Sequence, residues 1–178
     1  MDWGALRRII TENNEAGRSG VCIDGEAAKV LAVEDGGLAE IWTAALTGKS
    51  LMGAHDLLAD EDVRLEPKPN HVKVRWFTVP GEDATQSDEE RENAAAFAFA
   101  ACGASTARVD TARHPMMHKT DTLDVIIVIK GAVDLLLDNG EAKNLNAGDV
   151  IIQQATNHAW VNHGDETAVL VAVLINVE

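Results

Sequence analysis

The sequence predicts an all-β barrel or sandwich that carries a single helix. Short apolar, β-branched segments recur from residue 106 to residue 178, and glycine-containing turns separate them. One of these turns contains Asn139-Gly140, the strongest short signal for a hairpin. The 178 residues have the length of one domain and are enough to bury a core. We therefore expect a single domain that spans residues 1–178.

The first 80 residues form a predicted β-rich N-terminal extension. Its predicted strands are Val21–Asp24, Lys29–Trp42 and Val72–Val79, and Gly36-Gly37 divides the second into a hairpin. Residues 46–70 are predicted to be irregular, because Pro67 and Pro69 disfavour regular structure before the third strand. The segment Trp3–Ile10 fits either a short helix or a strand.

A helix is predicted for residues 87–102. Ser87 is a suitable N-cap, Glu90 stands at the capping-box position, and Gly103 is a suitable stop. Its interior is apolar on most sides, so it should lie against the barrel or another subunit. The barrel core, residues 106–178, has these predicted strands: Leu123–Lys130, Ala132–Leu137, Val150–Gln154, Ala159–Asn162 and Thr167–Val177. Their continuous apolar runs suggest a sheet covered on both faces, as in a barrel that also dimerises.

Composition excludes several classes of function. The net charge of −14 argues against binding to nucleic acid or to anionic membranes, since both require a positive surface. The longest apolar run, Ala168–Ile175, is too short to span a bilayer, and Asp2 and two arginines interrupt any apolar leader. We expect a cytoplasmic protein whose two cysteines, Cys22 and Cys102, are reduced.

Two groups of polar residues could meet inside such a barrel. In an extended chain His118, Thr120 and Asp124 share one face with Thr122, and Asp121 points the other way. His158 and Trp160 share a face on a later strand. Two imidazoles and a carboxylate suit a divalent metal such as Zn²⁺, Fe²⁺, Mn²⁺ or Ni²⁺. Each residue alone also has an ordinary explanation as a hydrogen-bonded polar side chain.

The spacing of these residues resembles the two motifs of the cupin superfamily. The first motif reads His118-Lys119-Thr120, then Asp124, then six residues and Gly131. The second reads Gly148-Asp149, then His158, then Asn162. The resemblance implies a double-stranded β-helix, that is, a cupin or jelly-roll barrel, with an N-terminal β extension and one helix.

By this resemblance the metal ligands would be His118, Asp124 and His158. The chain departs from the family pattern where Thr120 replaces the second histidine and Asp124 replaces the usual glutamate. Thr120 could hold a metal-bound water, and Asp121 is a spare carboxylate, so both are candidate catalytic residues.

Further residues are predicted to contact a substrate. His114 and Met116 would line the pocket mouth, Trp160 would form an apolar wall, and Gln153 stands where the family motif often has proline. Arg75 and Arg113 could anchor a substrate carboxylate, although a surface position is the ordinary expectation for arginine.

The resemblance leaves two functions open. The first is a metal-dependent enzyme acting on a small organic molecule, with dioxygenase, lyase, isomerase and decarboxylase chemistry all compatible. The second is a non-catalytic metabolite-binding or regulatory module with a degenerate metal site, which the missing histidine favours. In both cases we expect a small-molecule ligand and, by analogy, a homodimer.

Overall fold

The computed structural model describes residues 2–47 and 56–177. Within these ranges it contains eleven strands and one α-helix, together with short 3-10 turns at Trp3–Ala5 and Ser105–Ala107. In chain order the elements are β1 (Arg8–Asn13), β2 (Ser19–Gly25), β3 (Lys29–Val33), β4 (Gly36–Ala45), β5 (His71–Val79), α1 (Asp88–Ala101), β6 (Leu123–Lys130), β7 (Ala132–Leu137), β8 (Lys143–Asn146), β9 (Val150–Gln154), β10 (His158–Val161) and β11 (Ala168–Asn176).

The barrel core is built from two sheets. The larger sheet has the order β3-β4-β5-β11-β6-β9 and the smaller has the order β10-β7-β8, and every neighbouring pair is antiparallel. Inward side chains of both sheets, among them Ile126, Val133 and Leu170, form one buried apolar cluster. The prediction of an all-β barrel with one helix is confirmed.

The predicted N-terminal extension contributes directly to the larger sheet. β5 pairs with β11 along its whole length, from Ala168 opposite Val79 to Asn176 opposite His71. β4 then pairs with β5 and β3 with β4, while β1 and β2 form a separate two-stranded sheet. The N-terminal strands thus complete the barrel of their own chain.

The first segment, which the sequence left open, contains both a short 3-10 turn and the beginning of β1. The β3–β4 turn lies at Glu34-Asp35, directly before the predicted glycine pair, and Glu34 adopts a positive φ of 50°. Of the segment predicted to be irregular, residues 48–55 lie outside the described residues, and residues 56–70 contain no strand or helix.

Helix α1 begins and ends as the sequence predicts. The Ser87 hydroxyl accepts the backbone N–H of Glu90, and the Glu90 carboxylate accepts the backbone N–H of Ser87, which completes the capping box. The end of the helix packs Phe99 and Cys102 against Leu31 and Leu38 of the β3–β4 hairpin. The helix therefore covers one end of the larger sheet.

Gly131, the glycine of the first motif, is required by a close approach of two strands. Its φ is +78°, and a Cβ built at this position would lie 3.0 Å from the Cα of Ala168. β6 can therefore turn directly into β7 beside β11.

No helix within the described ranges has both the length and the hydropathy needed to cross a membrane. Cys22 and Cys102 are both free thiols.

Candidate functional site

A cavity of about 410 Å³ lies between helix α1 and the inner face of the larger sheet. Its walls contain most of the polar residues that the sequence singled out, together with aromatic and aliphatic side chains. The residues on which the following paragraphs depend are Arg75, Phe77, Glu82, Arg91, Phe99, His114, Met116, His118, Thr120, Asp124, His158 and Trp160. Cavities of this size, mostly apolar with a few converging polar groups, are typical of small-molecule sites.

The two imidazoles of the cavity are held side by side by backbone hydrogen bonds. His118 N–H donates to the carbonyl of His158, and His158 N–H donates to that of His118, both at 2.9 Å. This reciprocal pair is an isolated antiparallel bridge between the loop before β6 and the start of β10. It places the two ring centroids 4.3 Å apart. Two residues that are forty positions apart in the sequence thus form one side-chain pair.

The hydrogen bond at Nδ1 fixes the tautomer of neutral His118. His118 Nδ1 lies 2.9 Å from the carbonyl oxygen of Met116, which only accepts, so Nδ1 donates and Nε2 retains its lone pair. His158 Nδ1 lies 2.9 Å from both the carbonyl oxygen of Thr156 and the amide nitrogen of Gln153. Burial lowers the pKa of His118. Burial and the neighbouring His118 lower the pKa of His158 to about 3. Both rings are therefore neutral at pH 7.

Asp124 is a buried carboxyl next to a pair of threonine hydroxyls. The Thr120 and Thr122 hydroxyls hydrogen-bond to each other at 2.8 Å. Burial raises the pKa of Asp124 to about 6, while a hydrogen bond from Thr122 and the positive charge of Arg75 oppose this increase. Asp124 Oδ1 is buried without a hydrogen-bond partner in the described part of the chain. The carboxyl can thus change its protonation state close to neutral pH.

A buried ion-pair cluster adjoins the cavity, and Arg75 is its member that lines the cavity wall. Arg75 is only 2% exposed, and its Nη2 lies 2.8 Å from Oε1 of Glu40, which is 1% exposed. Lys73 Nζ lies 3.9 Å from the same oxygen. Burial raises the pKa of Glu40, and burial lowers the pKa of Lys73 to about 8, with Arg75 adding to the latter effect. The ordinary expectation of a surface arginine is wrong for Arg75.

Aromatic side chains surround the imidazole pair. Phe99 of α1 lies 4.9 Å from the ring of His118, and Trp160 lies 5.4 Å from the ring of His158, between centroids. Phe77 of β5 is 6.2 Å from Trp160 and continues this wall. Aromatic rings in tilted and edge-on contact of this kind form an apolar wall. At the cavity mouth His114 Nε2 is 2.7 Å from the carboxylate of Glu82.

The structure brings together seven of the nine predicted site residues in this cavity. They are His114, Met116, His118, Thr120, Asp124, His158 and Trp160. Residues 118–122 are not a regular strand, yet their side chains alternate as predicted, with Lys119 and Asp121 exposed.

Two predicted site residues lie outside the cavity walls. The side chain of Asp121 is 73% exposed and 3.9 Å from Lys119, because it occupies the outward position of the alternation. Gln153 is buried, but its amide donates to the Thr156 carbonyl at 2.8 Å and lies 2.9 Å from Nδ1 of His158. Gln153 therefore stands behind the His158 ring and orients it, where a contact with substrate was predicted.

The predicted three-ligand metal site is not formed by the described residues. No three histidine, cysteine, aspartate or glutamate side chains in residues 2–47 and 56–177 converge closely enough to hold one ion. His118 and His158 contribute two adjacent donors, whereas Asp124 does not complete a set with them. Cupin proteins commonly bind divalent metals. The donors present here do not fit the His118–Asp124–His158 arrangement that the sequence predicted.

The fold and site together define a small barrel with a cavity inside it. Residues 103–174 match the family model described as "Cupin domain". This part of the chain is therefore similar to the cupin family.

Three similar proteins illustrate the relationship. Over 47 residues the chain is 47% identical to the phomopsin biosynthesis cluster protein C' of Diaporthe leptostromiformis. This aligned segment covers 26% of this chain and 25% of that protein. Over 46 residues it is 44% identical to the cupin-domain-containing oxidoreductase srdD of Neurospora crassa, covering 26% and 24%. The crystal structure of a Cupin 2 conserved barrel domain protein from Salinispora arenicola has a TM-score of 0.42 and 13% identity over 84% of this chain and 82% of that one. The matched segment thus spans about a quarter of the length of each of these curated relatives.

Sequence reasoning missed two contributions to the site. Phe99 and Cys102 reach the cavity from α1, whose apolar composition indicated burial but not what it would cover. Glu40 lies in the predicted hairpin, and its charge was the only available signal. A charged residue within an apolar strand, opposite Arg75 on the next strand of the sheet, would have indicated a buried ion pair.

Proposed function

We propose that the protein is a cupin enzyme that binds a small organic molecule in the cavity and transfers protons to and from it. The observation that carries this proposal is the location of Asp124. Its carboxyl, with a pKa of about 6, lines the same largely apolar cavity as two neutral imidazoles. Titratable groups with opposite shifts in one cleft are typical of acid–base catalysis.

Each group has a role that follows from its protonation state. Near neutral pH, Asp124 exchanges between the acid and the carboxylate, so it can both donate and accept a proton. His118 and His158 are neutral, and the Nε2 lone pair of His118 makes this ring a proton acceptor. The aromatic walls exclude water, which strengthens the electrostatic interactions with a bound molecule.

Proton transfer at carbon is compatible with isomerase, lyase and decarboxylase reactions. Some of the curated relatives are named oxidoreductases, and others are named for biosynthesis clusters, which supports an enzymatic role without identifying a reaction. The metal-dependent chemistry expected from the family would need further ligands beside the imidazole pair. Metal content is therefore measured alongside the acid–base test.

The first experiment needs no substrate. The protein is labelled with ¹³C at aspartate carboxyl groups, and their signals are titrated by NMR from pH 3 to pH 9, with Asp124→Asn used for assignment. We expect the Asp124 carboxyl to titrate at about pH 6. An Asp124 carboxyl that titrates at the ordinary aspartate value of about 4 contradicts the proposal.

The second experiment measures proton transfer. A panel of small ketones, aldehydes and carboxylic acids with acidic C–H bonds is incubated with the protein in D₂O, and deuterium incorporation is followed by mass spectrometry. Asp124→Asn should slow exchange by a factor of about 100 or more, as expected for loss of a general acid or base. Asp121→Asn, three residues away on the exposed face, is the matched control and should exchange at the wild-type rate.

The outcomes separate the competing functions. Binding of panel compounds without exchange would favour the non-catalytic metabolite-binding module. The purified protein could also contain Zn, Fe, Mn or Ni at one ion per chain. If His158→Ala loses this metal and deuterium exchange requires it, the site belongs to the metal-dependent class. Exchange that is unchanged in Asp124→Asn would refute the assigned role of this carboxyl.

A further inference from the structure

We propose that the outer face of the larger sheet binds a second copy of this chain, sheet against sheet. This inference is independent of the proposed reaction, because it concerns the side of the sheet that points away from the cavity. The outer face consists of the side chains of β9, β6, β11 and β5 that point away from the barrel interior. They are Val150, Ile152 and Gln154 of β9, Leu123, Val125 and Ile127 of β6, Val171, Val173 and Ile175 of β11, and Val72, Val74 and Trp76 of β5.

The strand pairing arranges these twelve side chains in three rows of four. Val125, for example, stands opposite Ile152 on one side and Val173 on the other, and Val173 stands opposite Val74. Directly opposed residues of paired strands point to the same face, so each row is continuous across four strands. Eleven of the twelve residues are apolar and the twelfth is Gln154, so the outer face carries no charge.

Both faces of the central strands are apolar, which is unusual for a sheet with one side in water. An antiparallel sheet with one solvated face alternates apolar and polar residues, whereas strands covered on both faces are continuous apolar runs. The inward residues of β6 and β11 belong to the buried cluster around Ile126 and Leu170. On the outer face, Val150 is 59% and Leu123 is 43% exposed. In the described part of the chain these side chains therefore lack the second cover that the pattern indicates.

The size of the outer face matches the centre of a dimer interface. Four strands about 4.8 Å apart, with five residues of about 3.4 Å each from Val72 to Trp76, give a footprint of roughly 320 Å². An interface of standard size buries about 800 Å² on each partner, and it has an apolar centre and a polar rim. The outer face supplies the centre, and exposed neighbours such as Ile129 and Lys130 extend the surface toward the required size.

The charge of the protein favours a second copy over a charged partner at this face. Each chain has a net charge of −14, so two copies repel each other at long range and join most readily through a surface without charge. A partner recognised by its charge would need complementary ionic groups, and the outer face offers none. Under a two-fold axis the same apolar patch meets itself, so one contact covers the exposed side chains of both copies. Two such sheets would pack about 10 Å apart, as in a β-sandwich.

Sedimentation velocity of the full chain over a range of concentrations measures the association directly. We expect a dimer with a dissociation constant of about 10 µM or below, and we expect it to strengthen as NaCl is raised from about 0.05 M to about 0.5 M. Salt screens the repulsion between the two copies, whereas it would weaken an association held by ion pairs. A wild type that remains monomeric up to about 100 µM at both salt concentrations would overturn the proposal.

Two valines with the same exposure provide a matched pair of variants. Val150 of the outer face and Val21 of the separate β1–β2 sheet are each 59% exposed. Val150→Asp places a carboxylate in both halves of the interface and should weaken dimerisation about 100-fold or more, whereas Val21→Asp should leave it unchanged. Leu123→Asp, on the neighbouring strand, is a second test of the same face. Circular dichroism checks that each variant remains folded.

The outcomes separate the outer face from other surfaces. Folded Val150→Asp and Leu123→Asp proteins that dimerise like the wild type would place the contact elsewhere and overturn the proposal. Loss of the dimer in folded Val21→Asp would overturn it as well. A monomeric wild type that binds a different protein through the outer face would reject a second copy as its occupant.

Discussion

Replacing Glu40 with glutamine removes the carboxylate that forms ion pairs with two buried cations. Arg75 is 2.8 Å and Lys73 is 3.9 Å from its Oε1 atom, and all three side chains are almost fully buried. Breaking a buried ion pair by removing one partner costs about 3–5 kcal/mol, because the other charge remains unpaired in a poorly solvated place. Two cations remain here, so we expect Glu40→Gln to cost at least about 4 kcal/mol.

The reciprocal variant should be less harmful. Arg75→Met leaves one carboxylate, and Lys73 remains near it, so we expect a cost of about 3 kcal/mol. In Glu40→Gln/Arg75→Met neither of the two closest charges remains. The cost of the double variant should therefore be at least about 2 kcal/mol below the sum of the single costs, as for directly interacting residues.

Urea denaturation followed by tryptophan fluorescence measures these free energies of unfolding. Trp42 and Trp76 flank the cluster in sequence, and urea does not screen charges as guanidinium chloride does. Glu61→Gln is the control, because its ion pair with Lys68 is exposed and should contribute less than about 1 kcal/mol. Strictly additive costs, or a Glu40→Gln protein as stable as the control, would refute the reasoning.

Three further predictions concern other parts of the molecule. Ile152 is 53% exposed on the apolar outer face of β9, and we expect it to lie in the homodimer interface. Light scattering should therefore show a dimer for the wild type and a monomer for Ile152→Asp. A monomeric wild type would contradict this prediction. Ser87→Ala removes the cap of α1 and should lower the free energy of unfolding by about 1 kcal/mol in urea titrations, whereas no change would show that the cap is dispensable. The pKa of His158 falls from 6.5 to about 3 on folding, so this residue's contribution to stability is present above pH 6.5 and is lost as the pH falls toward 3. His158→Gln should flatten the decrease in melting temperature over that range, and an equally steep decrease would contradict the shift.

The local signals of the sequence were sufficient for most of the fold. The capping box defined α1 to within one residue, and a turn at Asn139-Gly140 follows β7 as predicted. The strand that the turn leads into, β8, was not predicted. The prediction was less accurate at the β3–β4 turn. There Glu34 takes a positive φ, and Gly36 and Gly37 instead open β4. A glycine pair indicates a turn nearby, but the register between the two strands decides which residues occupy it.

The sequence predicted which site residues lie on the same face of a strand, but it did not predict which face of each strand points into the barrel. Alternation placed His118, Thr120 and Asp124 together, and it placed Asp121 outside. A period of two residues states which side chains share a face, but it does not state which face points inward. β5 shows this limit, because Lys73 and Arg75 point into the barrel while apolar neighbours such as Val74 face outward.

The threonine that replaces the second histidine of the motif bears on the kind of chemistry proposed. Thr120 supplies a hydroxyl that hydrogen-bonds to Thr122, and Thr122 in turn hydrogen-bonds to Asp124. An imidazole at this position would offer a metal another strong donor, whereas the hydroxyl connects to the neighbouring carboxyl. Burial raises the pKa of Asp124, and the hydrogen bond from Thr122 partly opposes this increase, so the pKa is about 6. A carboxyl with a pKa close to the working pH is well suited to exchange protons. Within the proposed function, the same substitution that weakens a metal site thus supports an acid–base residue in the cavity.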